Sequence, residues 1–104
     1  MIGRMAPASE LTREEWGQVI ETNLTGAFLG ARHQVPVLLE RGGGSLIFTS
    51  SFVGYTASIP GMSAYAASKA GLIGLAKTLA VEHGAQGLRV NALLPAGRIR
   101  LPTW

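Results

Sequence analysis

Four side chains in one stretch have the types and spacing for proton-transfer chemistry. They are the serine pair Ser50-Ser51 and, further on, Tyr65 and Lys69 in Tyr65-Ala66-Ala67-Ser68-Lys69. On a helix, residues four apart share one face. An ammonium beside a phenol favours the phenolate. A phenol tuned in this way can give and take a proton near neutral pH. A tyrosine and a lysine four apart also occur by chance, so the pair acquires meaning only from the elements that position it.

Composition narrows the field. The chain has 104 residues, 47% hydrophobic and 14% charged, with a net charge of +3. One small domain is the natural size. The charge content is low beside the usual quarter, so part of the surface is expected to meet further chain or a partner. The arginines are scattered without interleaved aromatics, which argues against nucleic-acid binding. No cysteine is present, so disulfides, thiolate metal sites and a cysteine nucleophile are excluded. His33 and His83 lack ligand spacing, and no metal is expected. There is no basic segment leading into an apolar stretch and no run of about 18 apolar residues. The expectation is a soluble cytoplasmic protein without a membrane segment.

The elements follow from periodicity. Thr12-Arg13-Glu14-Glu15 has the pattern of a capping box. The helix it opens carries Trp16, Val19, Ile20, Leu24, Ala27, Phe28, Ala31, Val35, Leu38 and Leu39 at spacings of three and four, reaching about Glu40. Asn23-Leu24-Thr25-Gly26 is poor in helix propensity, and Pro36 removes a backbone donor. A bend or bulge is expected near Asn23 and a kink before Pro36. Gly42-Gly43-Gly44 ends the helix. Ser45 to Thr49 reads as a buried strand of a parallel sheet. Ser50 to Met62 is a loop at its C-terminal end. A second helix is expected over 63–83, with Leu72, Leu75, Ala76, Leu79 and Ala80 as its apolar stripe and Gly84 as its C-cap. Arg89 to Leu94 is a second short strand. The helix–strand–helix–strand order predicts an α/β fold, part of a Rossmann-like doubly wound arrangement with two parallel strands. Two such strands leave both sheet edges bare, so three layers form only when more chain or a partner completes them.

At these residues the chain resembles the short-chain dehydrogenase/reductase family, single-domain Rossmann-type oxidoreductases that use NAD or NADP. The resemblance rests on Thr22-Asn23-Leu24-Thr25-Gly26, on Ser51 fourteen residues before Tyr65, on Tyr65-x-x-x-Lys69, and on Arg89-Val90-Asn91 before Pro95. It covers about residues 11–97, leaving 98–104 as an atypical tail. It implies that Tyr65 is the general acid/base between an alcohol and a carbonyl. Lys69 would tune Tyr65 and bond the nicotinamide ribose, and Ser51 would hold the substrate oxygen. Asn23 would bind a relay water through its main chain. Pro95, Ala96 and Gly97 would join Tyr65 and Lys69 at the cofactor. The implied partners are a small alcohol or carbonyl substrate and a second copy, packed through the helices at 12–40 and 63–83.

Alternatives stay open at several positions. Ser50 is the other candidate for the exposed serine. Asn23 serves a relay or marks a mere helix irregularity. Ile59 and Met62 face a substrate or pack ordinarily. The family's glycine-rich pyrophosphate turn has no counterpart here, because Gly42-Gly43-Gly44 follows a helix and precedes a strand, the reverse of a phosphate loop. The chain is therefore expected to be a fragment of one NAD(P)-binding domain, with a catalytically silent remnant or assembly fragment as the alternative to an active enzyme. Loss of one base from codons for Gly-Thr-Asp-Thr yields Gly97-Arg98-Ile99-Arg100, so a shifted reading frame is the expected origin of the tail.

Overall fold

The computed structural model describes residues 1–51, 53 and 58–93, and the backbone of 94 and 97–100. The first helix opens with the expected box. The Thr12 hydroxyl accepts from the Glu15 amide at 3.0 Å, and the Thr12 amide donates to the Glu15 carboxylate at 2.9 Å. This satisfies amides that helix α1 (Arg13–Ile20) leaves unpaired. The poor helix formers after it produce a π-helical turn, Glu21–Thr25, in which the Gly26 amide reaches back to the Glu21 carbonyl. Such a turn inserts one residue into the helix and recurs at functional sites. Helix α2 (Gly26–Glu40) then continues unbroken through Pro36.

Helix α2 ends in a Schellman motif. The Gly42 amide donates to Leu39 and the Gly43 amide to Leu38, at 3.1 and 2.9 Å. Gly42 (φ +88°) and Gly43 (φ +122°) take the positive φ the reversal requires. Strand β1 (Gly44–Thr49) follows, then helix α3 (Ser63–His83) and strand β2 (Leu88–Leu94). β1 and β2 are parallel, in register from Gly44 opposite Leu88 to Thr49 opposite Leu93.

Leu46 and Phe48 of β1, and Leu88, Val90 and Ala92 of β2, share one sheet face. They form a single core with Ala31 and Val35 of α2 and Leu72, Ile73, Ala76 and Ala80 of α3. The buried side of α3 thus includes Ile73, which the expected stripe omitted. Leu75 and Leu79 of that stripe are only partly buried. The opposite face carries Ile47, which is 58% exposed, and no described helix covers it. A parallel strand is ordinarily buried on both faces.

Gly84 caps α3 as expected, its amide donating to the Ala80 carbonyl, but it keeps a helical φ of −58° and leads into a 3₁₀ turn, Gly84–Gln86, so that the left-handed residue is Gly87 (φ +87°). The cause is tertiary: a Cβ on Gly87 would lie 2.9 Å from the Gly42 carbonyl oxygen, so the reversal falls where two backbones meet. In addition, the start of the atypical tail forms a third strand. β3 (Gly97–Arg100) pairs antiparallel with β2, Leu94 opposite Gly97 and Asn91 opposite Arg100. An open β2 edge offers unpaired backbone groups, and the Arg98-Ile99-Arg100 alternation has the period of a strand. Among the described residues, no helix is long and apolar enough to cross a membrane.

Candidate active site

The candidate residues converge at the C-terminal end of β1, where open parallel sheets bind their ligands. The β1–β2 ladder runs one residue beyond β1, with the Ser50 amide donating to the Leu93 carbonyl at 2.7 Å. Tyr65 and Lys69 lie on the first two turns of α3, on one face. The Lys69 Nζ sits 5.7 Å from the centroid of the Tyr65 ring, within the range of a cation–π contact. The same Nζ donates to the Thr49 carbonyl at 3.3 Å. One ammonium therefore touches both the end of the strand and the phenol ring.

The serine pair divides its work. Ser50 is buried and its hydroxyl donates to the Lys69 carbonyl at 2.7 Å, tying the strand end to α3. Ser51 is also buried, and its Oγ accepts from the Val53 amide at 3.2 Å. Accepting leaves its own proton to give. Among the described hydrogen bonds Ser51 pairs with Val53 and not with Tyr65.

Asn23 is in the π-helical turn. Its Nδ2 donates to the Met1 carbonyl at 2.7 Å and to the Ser68 Oγ at 3.1 Å, and its Oδ1 accepts from the Met1 amino group at 3.1 Å. Asn23 and Lys69 also line one cleft of about 280 Å³, together with Ala27, Phe48, Thr49 and Leu72. Tyr65, Lys69 and Asn23 are thus brought to one place. Pro95 and Ala96 lie outside the described residues, and Gly97 begins β3. Ile59 is exposed and Met62 precedes α3 with partial burial.

Residue reasoning missed two members of this arrangement, Ser50 as a brace and Ser68. Ser68 is fully buried and its hydroxyl donates to the Tyr65 carbonyl at 2.8 Å. The signal was available: Ala64, Ser68 and Leu72 stand four apart on the buried side of α3, and a serine on such a stripe has to find partners there. Among the described residues, no group of three or more His, Asp or Glu stands together to hold a metal ion.

A tyrosine and a lysine on one face of α3 thus stand at the end of a parallel strand, with Asn23 in the same cleft as the lysine. Residues 2–98 match the short chain dehydrogenase family, and the chain belongs to it. It is 48% identical over 92 residues to an uncharacterized oxidoreductase of Mycobacterium tuberculosis, covering 88% of this chain and 34% of that protein. Its fold is similar to a 3-ketoacyl-ACP reductase of Sinorhizobium meliloti 1021, with a TM-score of 0.87 and 39% identity over 90% of this chain and 37% of the other. It is also similar to a Beutenbergia cavernae structure, assigned as an NAD(P)-dependent gluconate 5-dehydrogenase and containing NADP at low occupancy. There the TM-score is 0.84 and the identity 33%, over 89% of this chain and 37% of the other. The chain thus spans little more than a third of the length of these relatives.

Proposed function

We propose that this chain carries the proton-transfer centre of an NAD(P)-dependent oxidoreductase that interconverts an alcohol and a carbonyl. The observation that carries the reading is the placement of the Lys69 ammonium 5.7 Å from the Tyr65 ring centroid while it bonds the Thr49 carbonyl. Bound NAD(P) would supply or accept the hydride. Tyr65 Oη gives its proton to the carbonyl oxygen during reduction and takes it from the alcohol during oxidation. The Lys69 ammonium stabilises charge on the phenol oxygen as that proton moves. The Ser51 hydroxyl holds the substrate oxygen, and the Asn23 main chain holds a water that leads protons toward Lys69. Tyr65 and Lys69 carry donors suited to ribose hydroxyls, with Pro95, Ala96 and Gly97 at the nicotinamide end. The pyrophosphate has no matching turn in this sequence, so that part of the cofactor does not fit these residues.

Two copies would associate through α2 and α3. Between those helices runs an apolar groove of about 490 Å³, lined by Phe28, Val35, Leu39, Leu75 and Leu79, with Phe28 48% exposed. The reading makes the protein cytoplasmic, acting on a small molecule.

A second reading is favoured by the uncovered sheet face at Ile47. On it, the 104 residues alone are catalytically silent, and the site works only when further polypeptide covers that face and cradles the pyrophosphate. Calorimetric titration of the purified chain with NADH and NADPH separates the two. Micromolar binding supports the active chain and overturns the silent one, whereas absence of binding does the reverse.

A further inference from the structure

The proton-transfer pair is tied to the π-helical turn by one buried hydroxyl. Ser68 is 0% exposed. Its proton goes to the Tyr65 carbonyl at 2.8 Å, one turn back along α3. Back-bonding of this kind is ordinary for a serine in a helix, and bends the helix slightly. The second bond is not local. Asn23 Nδ2, 45 residues away in sequence, donates to the same oxygen at 3.1 Å. Of the two Nδ2 hydrogens, the other goes to the Met1 carbonyl. The Ser68 oxygen thus accepts from one element and donates to the other.

We infer that Ser68 is a positioning residue that couples the Asn23 turn to the backbone of Tyr65, and so fixes how the Tyr65 ring meets the Lys69 ammonium. The inference rests on the reading of Tyr65 as the acid/base, and adds a residue to it. Hydrogen bonds in series polarise one another, and both of these converge on an oxygen with no solvent access. A displacement of the turn reaches the Tyr65 carbonyl through that oxygen. The backbone at Tyr65 in turn sets the 5.7 Å approach of Lys69 to the ring. Ser50 holds the same stretch of helix from the other side, through the Lys69 carbonyl. It is an independent link and serves as the internal control.

The test uses the 104-residue chain with ¹³C-labelled tyrosine rings, in a Tyr55→Phe background so that only Tyr65 is observed. Ser68→Ala and Asn23→Ala are expected to displace the Tyr65 ring resonance in the same direction. The double variant should move it no further than Ser68→Ala alone, because both break one path. Ser68→Thr, which keeps the hydroxyl, should return the resonance toward its original position. Ser50→Ala should add its own displacement to that of Ser68→Ala. If Ser68→Ala loses its far-ultraviolet helix signal, Asn23→Ala alone decides. A Tyr65 resonance unmoved in folded Asn23→Ala overturns the inference, and so do displacements from Asn23→Ala and Ser68→Ala that simply add. Neither readout needs cofactor or substrate, so failure here leaves Tyr65 as the acid/base. Failure of that assignment would show instead as turnover surviving Tyr65→Phe.

Discussion

Gly43→Ala tests how the site's platform is built. β1 reaches Lys69 only because its register against β2 is set at the first pair, where the Gly44 amide donates to the Gly87 carbonyl at 3.2 Å. Gly43 has φ +122°, and a Cβ there would lie 2.6 Å from the Gly87 carbonyl oxygen and 2.9 Å from its carbon. Both obstacles are backbone and neither can swing away. Gly42 has φ +88° with nothing within 4 Å of its would-be Cβ. It shares the conformational penalty of about 1–2 kcal/mol without the collision. Alanine also restricts the unfolded chain, which returns about 0.4–1 kcal/mol at either site. Gly42→Ala should therefore cost between about 0 and about 1.6 kcal/mol, by difference. Forcing atoms into filled space adds about 1–3 kcal/mol, so Gly43→Ala should cost about 1–3 kcal/mol more than Gly42→Ala. With a urea m-value of about 1 kcal/mol/M for a chain of this size, the midpoint should fall about 1–3 M further for Gly43→Ala than for Gly42→Ala. Urea titrations followed by far-ultraviolet circular dichroism read both. Equal shifts in the two variants would refute the idea that close backbone approach sets the register.

Other outcomes follow from the same geometry. Thr12→Ala removes the hydroxyl of the capping box and should cost about 1 kcal/mol in the same urea assay. The carboxyl of Glu15 is held below its ordinary value of 4.5, chiefly by the Thr12 backbone amide and then by Arg4. A depressed folded-state value means its contribution is complete above 4.5 and disappears as pH falls through the folded-state value. Glu15→Gln should flatten that part of the acid-unfolding curve, and an unchanged curve would count against the box. Phe28→Asp places a charge in the apolar groove between α2 and α3 without touching the core. On the proposal that two copies associate through that groove, the variant should sediment as a monomer where the parent chain sediments as a dimer, while the circular dichroism spectrum stays the same.

Much of this arrangement is written locally, and the rest is not. The capping box was legible because both of its bonds join residues three apart. The weak helix formers after Ile20 announced a disturbance, and the π-helical turn is its form. β1, α3 and β2 follow from apolar runs and punctuating glycines. What escaped depends on neighbours far along the chain. Gly84 ends α3 as its sequence suggests, but the left-handed reversal waits until Gly87, where the backbone of Gly42 and Gly43 leaves no room for a side chain. β3 forms where the bare β2 edge meets the short Arg98-Ile99-Arg100 alternation, and three residues of alternation are too few to announce a strand by themselves. Trp16 and Phe28 belong to the expected apolar face of their helix, yet they stay 40% and 48% exposed. Motif spacing singles out Tyr65, Lys69 and Asn23 as candidates. The bonds that aim them run from Ser50 to Lys69 and from Asn23 to Ser68, across 19 and 45 residues, beyond the reach of any local pattern.

Turnover in a completed domain tests the central claim most directly. Residues 2–98 would replace the matching segment of the Sinorhizobium 3-ketoacyl-ACP reductase, so that the relative supplies the rest of its chain. Reduction of a 3-ketoacyl thioester is then followed by the absorbance of the nicotinamide cofactor, with Tyr65 intact and with Tyr65→Phe. The account predicts turnover in the chimera and a loss of about a hundredfold or more on removal of the single phenol oxygen. Turnover that persists unchanged in Tyr65→Phe would contradict it.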